Sequence, residues 1–228
     1  MEEQFSRTIN LIGEDAYNKI KSKSVIVFGV GGVGSFAVEA LARAGVENFT
    51  LIDNDVVSTS NINRQIIALH STVGKNKVDV MKARILDINP NAKVNAVCEF
   101  VTPSTIDVMD FNVDFVIDCI DNITAKIAIA KQSQAKHFNL ISCMSTGNKL
   151  CPEMFEISDI YKTSVCPIAK IMRKKLKEQG VNKLTVLYSK ETPQNVTKGT
   201  RVPASISFVP SIAGLRLAEY VIKKLMEN

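Results

Sequence analysis

Short apolar runs alternate with longer stretches in which apolar residues recur every three to four positions, and this rhythm holds as far as residue 143. Residues 24–29 (SVIVFG) are β-branched and apolar after Ser24, the pattern of a parallel strand buried on both faces. Residues 33–44 follow with Val38, Leu41 and Ala42 at helical spacing. A second strand is expected at 49–53. Residues 75–88 form an amphipathic helix through Val78, Met81, Ile85 and Ile88, stopped at Asn89-Pro90 because proline cannot continue the hydrogen-bond ladder. Further strands are expected at 93–98, 113–120 and 138–143, with a short helix at 103–109 behind a Thr102 cap and a longer one at 122–136.

Strands and helices alternating in this way predict a Rossmann-like, doubly wound α/β fold: a mainly parallel sheet with helices on both faces. After Ser145 the rhythm changes. Strands are expected at 154–157, 183–189 and 205–209, a basic helix at 166–179 and a terminal helix at 210–226. These later strands are expected to add a C-terminal antiparallel extension. No Pro/Gly/Ser-rich linker, repeat or low-complexity run interrupts the chain, so its 228 residues predict one domain.

The opening MEEQFSRTIN lacks the basic-then-apolar order of an export signal, and no stretch approaches the length of uncharged apolar sequence that spans a membrane. Arg216, Glu219, Lys223 and Lys224 interrupt the apolar positions of the terminal helix, which marks it as a packed amphipathic element. A cytoplasmic chain with no membrane partner is expected. The five cysteines (Cys98, Cys119, Cys143, Cys151, Cys166) include no CxxC pair, which supports neither a four-thiolate zinc site nor a disulfide framework. Net charge is +5, and it is unevenly spread: residues 170–201 hold nine basic side chains against Glu178 and Glu191. Such a run is either a solvated helix face or a footprint for a phosphate backbone.

The strand at 24–29 ends in a glycine turn, Gly29-Val30-Gly31-Gly32-Val33-Gly34, that opens the following helix. In that context Gly29 permits a tight turn, Gly31 lets backbone N–H groups approach a phosphate, and Gly34 allows close packing of helix on strand. Gly32 extends the same cradle. Asp53 ends the second strand, where a carboxylate accepts from ribose hydroxyls, and Asp55 follows it. To this point NAD and an adenine mononucleotide fit equally well. The cluster Asn61, Asn63, Arg64, Gln65 separates them, because cleavage between the α and β phosphates gathers charge that fixed cations and amides stabilise. Arg64 and Lys77 are the candidate cations; a solvated helix position is the other reading of Lys77. Asp118 and Asp121 lie in VIDCIDN at the carboxyl end of the fourth strand, where open α/β sheets place their ligands. By position Asp121 is the candidate for a Mg2+ ion bridging phosphates, with Asn122 beside it; a helix cap is the alternative role for Asp121.

GVGGVG, LIDNDVVSTSNINRQ, GKNKVDV and DCIDN together resemble the adenylating superfamily of ubiquitin-activating type over about residues 5–145. The resemblance implies ATP as cofactor, ribose binding by Asp53, phosphate contacts from Asn61, Arg64 and Lys77, and Mg2+ at Asp121. It also implies a homodimer in which Arg7, within Phe5-Ser6-Arg7, reaches the partner's ATP. The catalytic set is then Arg64, Lys77 and Asp121, with a nucleotide-binding part at about 1–145 and a substrate-facing part at about 146–228.

The two CxxC pairs usual in enzymes that activate sulfur carriers are missing here. Instead STGNKLC, FEISDIYKTSVCP, Met172-Arg173-Lys174 and RVPASISFVPSIAG are similar to the tRNA threonylcarbamoyladenosine dehydratase subfamily, with Cys151 departing from an acidic residue before the proline. That resemblance implies a tRNA anticodon loop as partner, a carboxylate activated as its adenylate, and ring closure by the tethered side chain without a catalytic cysteine. The basic run would then hold the anticodon stem, with Tyr161 or Phe155 stacking on the splayed base and core packing as the other role for Phe155. A cysteine-desulfurase or sulfur-acceptor system is a further partner within the resemblance. Two alternatives stay open: adenylation of a ubiquitin-like sulfur-carrier C-terminus, and an NAD-binding oxidoreductase or non-catalytic nucleotide sensor.

Overall fold

The computed structural model describes residues 3–194 and 203–227. Two helices precede the sheet, α1 (Ser6–Ile12) and α2 (Glu14–Ser22). The alternating region follows as β1 (Ser24–Phe28), α3 (Gly34–Arg43), β2 (Asn48–Ile52), α4 (Lys77–Ile88), β3 (Lys93–Val97), α5 (Pro103–Val108), β4 (Phe115–Asp118), α6 (Ile123–Lys136) and β5 (Leu140–Cys143). The C-terminal part adds β6 (Phe155–Asp159), α7 (Pro167–Glu178), β7 (Thr185–Ser189) and α8 (Phe208–Glu227).

The strands form one sheet in the order β3-β2-β1-β4-β5-β7-β6. All neighbours are parallel except β6 and β7. Alternation along β1 divides the core in two: Val25 and Val27 face a layer built from α3, α4 and α8, whereas Ile26 and Phe28 face α5, α6 and α7. Chain order reverses between β1 and β4, so the crossovers diverge there and leave a crevice beyond the carboxyl ends of the strands.

The expected antiparallel extension is narrower than the sequence predicts, because β7 joins β5 in parallel and β6 alone runs the other way. The strand expected at 205–209 is absent. Residues 203–206 have no regular structure, and α8 begins at Phe208 with Pro210 in its first turn. Proline is tolerated there because the first helical N–H groups have no intrahelical acceptor. Lys198 and Arg201, part of the expected basic run, lie outside the described residues. No helix among the described residues is long and apolar enough to cross a membrane.

Candidate active site

The glycine turn is shaped by two steric demands. Gly29 has φ +83°, and a Cβ there would lie 2.8 Å from the Cys119 carbonyl oxygen at the end of β4. A Cβ on Gly34 would come within 1.8 Å of the Gly29 oxygen, so the first turn of α3 rests directly on the end of β1. At Gly31 the nearest atom is Gln65 Nε2, 3.7 Å from the Cβ position, which leaves that backbone open toward the crevice. Arg64 packs its Cγ across Gly32, 3.5 Å from the Cβ position.

Asp53 knits the turn to the end of β2. Its Oδ2 accepts from Val30 N at 2.7 Å and its Oδ1 from Asp55 N at 2.9 Å. Each carboxylate oxygen retains acceptor capacity, and the residue remains half-buried at the wall of a cavity of about 270 Å³. That cavity is bounded by Gly29, Gly31, the segment 52–55, the Glu99–Phe100–Val101 stretch after β3, and residues 119–122 after β4. A second cavity of about 460 Å³ adjoins it, walled by Gly31, Gly32, Arg64, Gln65, the segment 143–147 after β5, Ile168 of α7 and the segment 203–205. Gly31, Cys119 and Asp121 line both.

Asp121 is exposed between the two cavities. Asn122, not Asp121, caps α6, its Oδ1 accepting from Ala125 N at 3.0 Å. Among the described residues no hydrogen bond or ion pair engages the Asp121 carboxylate, so it is available to a ligand. Lys77 is buried, and its Nζ donates to Asp55 Oδ2 at 2.7 Å; the structure brings it to the crevice only through Asp55. Asn61 is also buried, its Oδ1 accepting from Ser58 N at 3.1 Å, and it lines neither cavity. Arg64 donates through Nη1 to Ser60 O at 2.9 Å and Asn63 Oδ1 at 2.8 Å, which holds the cation at the rim of the second cavity. Gln65 Oε1 is buried without a hydrogen-bond partner among the described residues. Arg7 is exposed on α1 and lines neither cavity of its own chain.

Beneath the shared floor lies a network whose principal cation the sequence reading missed. Lys126 Nζ donates to Asp118 Oδ2 at 3.0 Å, Ser142 Oγ at 3.2 Å and Cys143 O at 2.8 Å, while Ser142 Oγ donates to Asp118 Oδ2 at 2.6 Å. The signal was available: Lys126 stands on the apolar face of α6, three and four residues before Ile129 and Ala130. The wall opposite is fixed by buried Glu191, which accepts from Leu150 N and Cys151 N, each at 2.9 Å. Asn148, at φ 58°, ties the same loop to 203–205: its N–H donates to Ala204 O at 2.8 Å and its Oδ1 accepts from Ala204 N at 2.7 Å.

The thiols at the site are poor nucleophiles. Burial pushes Cys143 up to about 12, only partly offset by Lys126, and burial together with Cys143 pushes Cys119 well above the ordinary thiol range. The two cavities therefore offer fixed amides, the cations Arg64 and Lys126, and the exposed carboxylate of Asp121 where they meet, without an activated cysteine. Such a set can bind and polarise a phosphate chain beside a second substrate.

A family model for ThiF matches residues 5–228. The chain belongs to the ThiF family. Among ThiF relatives, the tRNA threonylcarbamoyladenosine dehydratase of Bacillus subtilis is 43% identical over 242 residues, covering 99% of this chain and 95% of that protein. A crystal structure of the Escherichia coli tRNA N6-threonylcarbamoyladenosine dehydratase in complex with ATP superposes with a TM-score of 0.91 at 33% identity, over 99% of this chain and 94% of that one. The same enzyme with AMP gives a TM-score of 0.93 at 34% identity, with the same coverage. The molybdopterin-synthase adenylyltransferase of E. coli, another ThiF-type relative, is 34% identical over 54% of this chain and 50% of its own length.

Proposed function

We propose that this protein is an ATP-dependent tRNA threonylcarbamoyladenosine dehydratase, acting by adenylation of the carboxylate on the modified base. The observation that carries the reading is the pair of cavities meeting at Gly31, Cys119 and Asp121, one against the ribose-type aspartate Asp53 and the other open to α7. A nucleotide in the first presents its α-phosphoryl group to an acid in the second. The likeness to dehydratases over 99% of the chain supplies the substrate class.

In this reading Asp53 accepts from the ribose, and backbone N–H groups of the Gly29–Gly34 turn and the α3 N-terminus meet the phosphates. Asp55, held by Lys77, closes the ribose side, while Asn61 shapes the turn that carries Arg64. Gln65 directs Nε2 toward the open backbone at Gly31. Arg64, at the rim, stabilises charge on the reacting phosphoryl oxygens. A Mg2+ ion suits the unpaired Asp121, since magnesium is held by one or two carboxylates plus phosphates and supplies charge neutralisation there.

The substrate carboxylate attacks the α-phosphorus, the bond to the bridging oxygen breaks, and pyrophosphate leaves. A nitrogen or oxygen of the same side chain then attacks the activated carbonyl carbon, loses its proton, and expels AMP. One carboxylate oxygen departs in AMP, so the base loses the elements of water. Because the nucleophile is tethered, proximity replaces a covalent enzyme intermediate, in keeping with the protonated thiols at the floor. In this reading residues 1–228 act as one domain, in the cytoplasm and as a homodimer, with Arg7 of each subunit completing its partner's nucleotide site.

Adenylation of a sulfur-carrier protein is the weaker reading, as the likeness to the molybdopterin enzyme reaches only 54% of the chain. The test is incubation with ATP, Mg2+ and tRNA bearing threonylcarbamoyladenosine, following AMP release and the nucleoside mass. Stoichiometric AMP with loss of one water is expected, and Asp121→Asn should slow it about 10²–10³-fold. AMP formation with a sulfur-carrier protein but not with the tRNA would overturn the proposal.

A further inference from the structure

We infer that Arg173 is a positioning residue for the second cavity: it braces a strained backbone corner at 163–166 and, through that corner, sets where Ile168 stands in the cavity wall. This rests on the proposed reading of that cavity as the one that receives the acid. Ile168 is the second residue of α7, so the corner is the immediate support of its backbone.

The strain lies at Val165. Its φ is 58°, in the left-handed region that L residues avoid, and a β-branched side chain is poorly suited to it. Across it Cys166 N donates to Ser164 O at 2.5 Å, closing a three-residue turn of the rare, strained kind. The Val165 side chain is 52% exposed, so burial gives nothing back for that conformation. A residue held this way persists only where its surroundings over-determine it.

Both ends of the corner are pinned. On the incoming side Asp159 Oδ1 accepts from Tyr161 N at 2.8 Å, Ile160 N donates to Leu184 O at 2.8 Å, and the Thr163 hydroxyl donates to Ile160 O at 2.6 Å. On the outgoing side Cys166 is buried, and Pro167 fixes φ at the first position of α7. Arg173 joins the two. From the second turn of α7 its Nη1 reaches back and donates to Thr163 O at 3.0 Å and to the Thr163 hydroxyl. Hydrogen bonds from a charged donor are among the stronger ones, which suits them to hold a strained turn. Of the basic run, Arg173 is thus engaged with the backbone of its own chain. Tyr161 belongs to the same frame, its hydroxyl donating to Val181 O, and Phe155 is buried in the core; neither is free to stack on a base.

The test compares the full chain with Arg173→Met, Thr163→Val and the double variant Arg173→Met/Val165→Asn. Asparagine tolerates the left-handed region, so it removes the need for a brace without restoring a charge. Native labelling of Cys166 by iodoacetamide is read by peptide mass, and kinetics are measured with ATP and tRNA bearing threonylcarbamoyladenosine. Arg173→Met should label Cys166 about ten- to hundredfold faster than the parent, as expected when hydrogen bonds from a charged donor no longer oppose local opening. Its KM for the tRNA should rise about tenfold, with kcat and the KM for ATP within about twofold, because an apolar wall contacts ground and transition states alike. Thr163→Val, which removes an acceptor and no charge, should move both readings the same way by less. The double variant should return both toward the parent. Parental labelling or parental tRNA KM in Arg173→Met, or a double variant no better than the single one, would overturn the brace while leaving the adenylation reading intact. A parent that released no AMP with the tRNA would overturn the adenylation reading, and rescue of the labelling by Val165→Asn would still decide the brace.

Discussion

Lys126→Met removes the cation under the shared floor of the two cavities, and its consequence follows from the contacts. All three ammonium donors of Lys126 are used, on Asp118 Oδ2, Ser142 Oγ and Cys143 O, and the side chains of Lys126 and Asp118 are 3% and 1% exposed. Methionine fills a similar volume but leaves the Asp118 charge buried without a counter-ion. Losing one partner of such a pair costs about 3–5 kcal/mol. The lower end is expected here, because Ser142 Oγ and Ile120 N, at 2.6 and 3.2 Å, still donate to Asp118. About 3 kcal/mol corresponds to a fall in Tm of roughly 6–12 °C for a chain of this size. Urea unfolding of the parent, Lys126→Met and the double variant Asp118→Leu/Lys126→Met would measure it. The double variant should recover much of the loss, since an apolar pair replaces an ionic one at little cost. A single variant within about 1 kcal/mol of the parent would refute the assignment of Lys126 as the obligatory counter-ion.

Gly34→Ala should abolish nucleotide binding and lower stability by several kcal/mol, because its Cβ position lies 1.8 Å from the Gly29 oxygen; calorimetry with ATP on whatever soluble protein forms would check this. Glu39 is pushed up by burial, but hydrogen bonds from Arg84 and Arg43 outweigh that and hold it below the ordinary carboxylate range. Its stabilisation is therefore present above the unfolded-state pKa and lost as pH falls through the lower folded value. Arg84→Met should cost about 1–3 kcal/mol at pH 7, and the difference from parent should vanish in acid, as read from denaturation midpoints across pH. With its thiol near 12, Cys143 is thiolate to roughly one part in 10⁴ at pH 8, so iodoacetamide should label exposed Cys98 first and Cys143 only on unfolding. Rapid native labelling of Cys143, read by peptide mass, would contradict the buried, protonated floor.

The parallel core was legible because its strands are buried on both faces and leave unbroken apolar runs, as in Val25–Phe28 and Phe115–Ile117. Helices α1 and α2 left little trace. They pack through Phe5, Ile9 and Tyr17 in a small cluster, with Ile20 of α2 reaching the layer of α3, α4 and α8, and have too few apolar positions to set a period. Residues 205–209 read as a strand because Ile206 and Phe208 alternate with serines. Both prove exposed by more than a third, at 38% and 39%, and no strand among the described residues pairs with them; Phe208 instead opens α8. The site was legible where backbone chemistry dictates residue type, at Gly29, Gly34 and Asp53. It was obscure at Lys126, Glu191 and Asn148, whose roles depend on partners distant in sequence.

These distant ties also explain how one fold separates its two cavities by origin. The first is built from strand ends and the glycine turn, locked by hydrogen bonds such as Val30 N to Asp53 and Cys119 N to Phe28 O at 2.7 Å, so its shape follows from the sheet itself. The second borrows its far wall from the loop after β5, from α7 and from 203–205, held together by Glu191 and Asn148 rather than by strand pairing. If the first cavity holds the nucleotide and the second the acid, as proposed, changes in that wall alter which acid is admitted without disturbing the first cavity, whereas changes in the glycine turn disturb both. In the proposed reading, substrate choice is carried by the segment 143–147, Ile168 and the segment 203–205, and Asp121 sits where the two constructions meet.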